Sequence, residues 1–258
     1  MARMPSISRR RGRAAKLMPE LCMSDNGSVV NSEQHRGFDV RTYKMRKSRV
    51  TASQASAISE LSSRFVIPAG DSLVDVVTLC EVEASVLEIG FGMGEATIAL
   101  ALKQPEVGVL AIDVHTPGVG RLLSEISAHQ LTNVRIFEGD AVSFIENRIA
   151  PASLDGIRMF FPDPWPKKRH HKRRFVNAEH MTLLARSVKM GGFFHFATDW
   201  ADYAEQATSV LYEHTDWTLL PPGEGITWAM PNERPCTRFE QRGLDAGRGI
   251  TDVIAIRV

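Results

Sequence analysis

Apolar residues dominate short runs at positions 86–89, 109–114, 134–137, 157–161 and 193–197, each broken by a single polar or charged residue. Runs without polar alternation suit parallel strands covered on both faces. The intervening segments 95–103, 119–129, 141–148 and 178–189 carry apolar residues at helical spacing instead. This alternation predicts an α/β fold with a doubly wound, mostly parallel sheet. A short helix is expected over 52–63 and a further one over 201–214. The last two runs, 217–220 and 252–258, show no helical pattern between them, so the seven-stranded sheet is expected to close with an antiparallel edge hairpin.

The first 37 residues break the pattern. Arg3, Arg9, Arg10, Arg11, Arg13 and Lys16 precede any acid, and Gly, Ser, Asn and Asp are frequent between Ser24 and Gly37. So little apolar surface does not offset chain entropy, which predicts a disordered basic arm over 1–37 ahead of one domain over 38–258. A second basic cluster, Arg36, Arg41, Lys44, Arg46, Lys47 and Arg49, adjoins that domain and suits RNA phosphates.

Composition adds limits. A hydrophobic share of 43% supports a sizeable core, and a net charge of +1 means that charge placement, not its total, identifies partners. Cys22, Cys80 and Cys236 lie far apart and are odd in number, so no disulfide framework or zinc spacing can be read from them and a reducing cytoplasm is expected. His115, His195 and the methionines show no metal spacing and read as packing or loop residues. No run approaches the roughly 20 apolar residues of a membrane helix.

The segment Val86-Leu87-Glu88-Ile89-Gly90-Phe91-Gly92-Met93-Gly94 ends a strand and opens a helix. Gly90, Gly92 and Gly94 let the backbone approach a ligand, and the helix start offers N–H groups to an anion. A dinucleotide site has G-x-G-x-x-G, but the third glycine comes one position early in this chain. Glu88 would also repel a pyrophosphate, whereas it attracts a sulfonium or an ammonium. S-adenosyl-L-methionine carries both cations, and its carboxylate suits the helix start. Asp113 ends the next strand about 20 residues on, where a carboxylate accepts ribose hydroxyls. Asp140 follows the third strand, where an acid can accept from an adenine amino group. Acids at three consecutive strand ends, on the ligand-binding side of an open sheet, favour that cofactor.

The fourth strand runs into Phe161-Pro162-Asp163-Pro164-Trp165-Pro166, a turn stiffened by prolines that fixes Asp163 near the same crevice. Lys167-Lys168-Arg169-His170-His171-Lys172-Arg173-Arg174 follows without an acid. Self-repulsion in that run is relieved by a polyanion, and nucleic acid phosphates are the obvious candidate. Trp165 and Phe175 flank it and suit either base stacking or the core. Asp199 ends the fifth strand as a helix N-cap or a ligand for a base. Thr237-Arg238-Phe239-Glu240-Gln241-Arg242-Gly243 suits an exposed strand or a site for a polar base.

Together these segments resemble the bacterial tRNA (guanine-N7-)-methyltransferases, a family of Rossmann-like class I methyltransferases. The likeness runs through Glu88 to Gly94, Val114 to Gly120, Phe161 to Arg174, Thr198 to Trp200 and Thr237 to Gly243. The basic stretch closed by Thr51 and Gln54 is also similar, and Pro162-Asp163-Pro164-Trp165-Pro166-Lys167-Lys168 is the most specific element. The resemblance implies cofactor contacts from Glu88, Asp113, Asp140 and Asp163, and a catalytic role for Asp163. It implies substrate contacts at Lys167, Asp199, Thr237, Arg238, Phe239 and Glu240. It implies RNA contacts at Arg169, His170, His171, Lys172, Arg173 and Arg174. Family members usually carry Glu at the position of Asp113. The implied reaction moves a methyl group from S-adenosyl-L-methionine to N7 of the variable-loop guanosine of tRNA, leaving S-adenosyl-L-homocysteine. The implied partner is tRNA, with no obligate protein partner and a monomer or weak homodimer expected.

The chemistry suits such residues. Guanine N7 has a lone pair and no proton at neutral pH, so it can attack a sulfonium methyl without a strong general base. The protein must mainly hold two reactants about 3 Å apart. Asp163, Asp199 and Glu240 are candidates to hold the N1–H and amino group and to stabilise the cationic product. The competing expectations are a methyltransferase for another base position and a noncatalytic RNA-binding protein that kept the fold.

Overall fold

The computed structural model describes residues 41–44, 49–221 and 234–258. The expected basic arm over 1–37 lies outside the described residues, as do Arg36, Arg46 and Lys47 of the second basic cluster.

The chain forms α1 (Ala52–Phe65), α2 (Val76–Cys80), β1 (Ala84–Ile89), α3 (Glu95–Lys103), β2 (Val107–Asp113), α4 (Thr116–Ala128) and β3 (Val134–Glu138). It continues with α5 (Ala141–Arg148), β4 (Leu154–Phe160), a 3-10 turn (Lys168–Arg173), α6 (Ala178–Ser187) and β5 (Val188–Thr198). Then come α7 (Ala201–Glu213), β6 (Trp217–Leu219), α8 (Arg238–Asp245) and β7 (Thr251–Arg257).

The seven strands lie in the order β3-β2-β1-β4-β5-β7-β6. The first five are parallel, and β7 runs antiparallel to both β5 and β6. The doubly wound sheet with an antiparallel edge is therefore present. The edge is not a simple hairpin, because α8 lies between β6 and β7 in the chain. The order reverses between β1 and β4, which opens a crevice at the strand ends.

The apolar runs become strands because both faces are covered. All six residues of β1 are buried. On one face Leu87, Leu110 and Ile157 meet α5, α6 and α7 through Ile145, Leu184 and Leu211. On the other, Val109, Ala111 and Ile136 meet α1, α3 and α4 through Ala57, Ala101 and Leu122.

Two local devices fix the entry. Thr51 caps α1, accepting from the Gln54 N–H at 3.3 Å, while the Gln54 side chain accepts from the Thr51 N–H at 2.8 Å. This reciprocal pair satisfies donors at the helix start. The Gln54 amide also donates to the Pro117 carbonyl at 3.0 Å, tying α1 to the start of α4.

Candidate active site

A cavity of about 290 Å³ opens at the crevice beyond β1 and β4. Glu88, Gly90, Gly92, Asp113, Asp163, Thr237, Arg238 and Phe239 all line it. Gly94, Asp140, Lys167, Asp199 and Glu240 are not among its lining residues.

The turn from β1 to α3 needs its glycines. Gly90, Gly92 and Gly94 have φ of 79°, 60° and 80°. Gly94 is the N-cap of α3 and provides no side-chain cap, so the helix start keeps N–H groups for an anion. Asp113 anchors this turn, with Oδ2 accepting from the Gly92 N–H at 2.7 Å and Oδ1 from the His115 N–H at 3.0 Å. Burial pushes the Asp113 carboxyl up, and the Gly92 N–H pulls it back.

Glu88 is 3% exposed. Burial pushes its carboxyl from 4.5 to about 7, against the pull of Arg158 and with the push of Asp113. Its Oε2 has no hydrogen-bond partner among the described residues. A buried carboxylate with an unsatisfied oxygen beside a cavity is costly unless a ligand cation completes it. The donor set therefore fits S-adenosylmethionine, with acids for the sulfonium and ammonium and a helix start for the carboxylate. Asp140 caps α5 by accepting from the Ser143 N–H at 2.9 Å, and its neighbours Gly139 and Ala141 line the cavity.

Asp163 sits on a strained turn. Phe161 and Trp165 hold φ of 52° and 47°, a left-handed conformation that is costly for bulky residues and concentrates at functional sites. Several contacts hold the turn in place. The Phe161 N–H donates to the Ala197 carbonyl at 2.8 Å. The Trp165 indole N–H donates to the Thr42 carbonyl at 3.1 Å. Arg174 Nε donates to the Pro164 carbonyl at 2.9 Å. Thr42, Tyr43 and Lys44 then complete the cavity wall, a placement that nothing in their sequence signals.

The basic run divides by exposure. Lys167, Lys168, Arg169 and Lys172 are exposed, and His170, His171 and Arg173 are half-buried. Arg174 is 1% exposed and bonds Pro164, Gln206 and Asp202. The RNA contact expected of Arg174 is thus corrected: its guanidinium frames the turn from inside and holds the Asp202 carboxyl below its usual range. Trp165 and Phe175 are both 5% exposed and pack into the core, and Phe175 also lines the cavity.

Two further expectations change. Asp199 does not cap α7, whose N-cap position is Trp200; instead its Oδ2 accepts from Arg248 at 2.8 Å. Residues 237–243 form no exposed strand. Thr237 caps α8 by accepting from the Glu240 N–H at 3.2 Å, the Thr-x-x-Glu spacing that marks a helix start. Glu240 is half-buried and paired with Arg234, which also reaches Asp252 at 2.8 Å. Arg238 pairs with Glu95 at 2.5 Å, joining α8 to α3 across the cavity mouth. His195 is a packing residue, bonded to Asp252 at 2.8 Å.

Comparison with known proteins agrees with this geometry. A family model described as a putative methyltransferase matches residues 83–253. The tRNA (guanine-N(7)-)-methyltransferase of Streptomyces avermitilis is 46% identical over 220 residues, covering 85% of this chain and 76% of its own. The enzyme of that name from Thiobacillus denitrificans is 45% identical, covering 83% of this chain and 94% of its own. That of Methylobacillus flagellatus is 42% identical, covering 90% and 97%. This chain belongs to the tRNA (guanine-N(7)-)-methyltransferase family.

Proposed function

We infer that this protein transfers the methyl group of S-adenosylmethionine to N7 of a guanine in tRNA, and that the guanine is the variable-loop guanosine. The observation that carries the inference is the sharing of one cavity by Glu88, Asp113 and Asp163, with exposed cations beginning a few residues beyond Asp163. The cofactor supplies an electrophilic methyl group on a sulfonium. Glu88 attracts its ammonium, Asp113 accepts from its ribose, and the α3 start takes its carboxylate. Asp140 lies near enough to the rim to serve the adenine. Asp163 holds the guanine edge so that N7 faces the methyl, and its charge favours the cationic product.

Lys167, Lys168, Arg169 and Lys172 dock tRNA phosphates, with Arg173 beside them. Thr237, Arg238 and Phe239 form the wall against which the base sits. Glu240 and Asp199 support that wall through Arg234 and Arg248. No helix among the described residues is long and apolar enough to cross a membrane, and a tRNA substrate favours a cytoplasmic protein. We further infer action as a monomer or weak homodimer.

Incubation with labelled methyl donor and bulk tRNA, followed by nuclease mapping and nucleoside mass spectrometry, tests the proposal. The expected product is 7-methylguanosine confined to variable-loop fragments. Methylation at another base atom or another loop would refute the respective part.

A further inference from the structure

A buried cation lies beneath the cofactor cavity. Arg158 is 1% exposed in the middle of β4, and the strand register sets it directly opposite Glu88 of β1. Residues paired in this way carry their side chains on one face of the sheet. One guanidinium nitrogen donates to the Gln104 side chain at 3.0 Å, just past the end of α3, and the Phe193 ring lies 6.0 Å away. Glu88 lines the cavity, and Arg158 stands behind it. The fold does not demand two buried charges here, since well-packed apolar residues of similar volume often replace buried ion pairs without loss of stability. A buried strand segment that keeps an arginine opposite a ligand-facing acid points to the ligand.

We propose that Arg158 is a positioning residue that keeps the Glu88 carboxylate ionised for the ammonium group of S-adenosylmethionine. The proposal rests on the assignment of this cavity to that cofactor. The charged groups around Glu88 are Arg158 from β4 and Asp113 from β2. The same cavity is lined by Glu95, paired with Arg238, and by Asp163, which lies beside Lys44. Burial drives Glu88 toward its neutral form, and Arg158 is the cation that opposes it. Arg158 itself, lowered by burial to about 10, remains charged at neutral pH. Without it, Glu88 holds its proton more tightly, and a smaller share of it is ionised at pH 7 to attract the ammonium.

Calorimetric titration of the full chain with S-adenosylmethionine, from about pH 6.5 to about pH 9.5, tests this. The quantity read is the ratio of variant to wild-type Kd, in which the titration of the ligand itself cancels. For Arg158→Gln the ratio is expected to be on the order of tenfold at pH 7 and to fall toward one at the alkaline end, as the carboxyl ionises without help. Arg158→Lys, which returns a cation, keeps the ratio near one at pH 7. A ratio constant across the range overturns the proposal, since a structural role has no pH signature. So does a lysine variant as weak as the glutamine one. If Arg158→Gln does not fold, the lysine variant decides alone: near-wild-type affinity at pH 7 supports the proposal and lost affinity overturns it. Glu88→Gln separates the underlying assignment, because wild-type affinity in that variant removes Glu88 from the cofactor site whatever Arg158 does.

Discussion

The backbone N–H of Lys44 donates to Asp163 Oδ2 at 3.1 Å, joining residues 119 apart in sequence in the wall of one cavity. The Lys44 ammonium stands 3.8 Å from the other oxygen and 4.7 Å from the Trp165 ring centroid. Asp163 is thus oriented from outside its own turn. Asp163→Ala is expected to slow methyl transfer on the order of a hundredfold or more, as for loss of one preorganised polar group. Single-turnover assays with saturating tRNA and cofactor check this, and near-wild-type turnover removes Asp163 from the chemistry.

The basic turn predicts two different outcomes from one kind of substitution. Arg169→Ala, Lys172→Ala and Arg173→Ala each weaken tRNA binding and lower the salt slope by about one. Arg174→Ala leaves that slope alone and costs about 2–3 kcal/mol of stability, because it takes the donor away from the Pro164 carbonyl and the Gln206 and Asp202 side chains. Filter binding across a salt series and thermal melts distinguish the two. A slope change in Arg174→Ala would return it to the interface.

The glycine turn makes a packing prediction. A Cβ on Gly118, in the first turn of α4, would lie far inside contact with the Gly92 carbonyl oxygen. Gly118→Ala must push the cofactor turn aside, since backbone cannot yield as a flexible side chain does. The expected result is about 1–3 kcal/mol of lost stability together with weakened cofactor binding. Equilibrium denaturation and cofactor titration measure both, and unchanged affinity would show that the turn adjusts freely.

Glu88 predicts proton release on binding. Its ligand-free carboxyl titrates near 7, raised by burial. An arriving ammonium favours the charged form, so binding expels a proton below about pH 7 and hardly any well above it. The same raised value carries a sign for stability. Between 4.5 and about 7 the folded protein binds more protons than the unfolded chain, so this group costs the ligand-free fold stability as pH rises through that window. Titration in buffers of different ionisation enthalpy counts the protons. Equal release at pH 6 and pH 8.5 contradicts the assignment.

Much of the site was legible in local sequence. The glycine turn, its preceding acid and the prolines around Asp163 announce themselves because each needs only near neighbours to act. Two signals were present but are easily passed over. Thr237 and Glu240 have capping-box spacing, which marks α8 as a helix. Arg158 interrupts the apolar run at 157–161, and a cation there requires a buried partner.

The sequence alone determined the strand–helix alternation, the cofactor turn and the basic character of the turn after Asp163, since periodicity and turn chemistry are properties of contiguous residues. Only the tertiary structure decided which cations remain free. Arg174 and Lys172 are equivalent as members of one basic run, yet one is sealed against Asp202 and Gln206 while the other faces water. It also decided that Lys44 would meet Asp163 and that Glu88 would lie opposite Arg158 on the neighbouring strand. Burial and long-range pairing arise when distant segments close on one another, and no window of neighbouring residues contains that information.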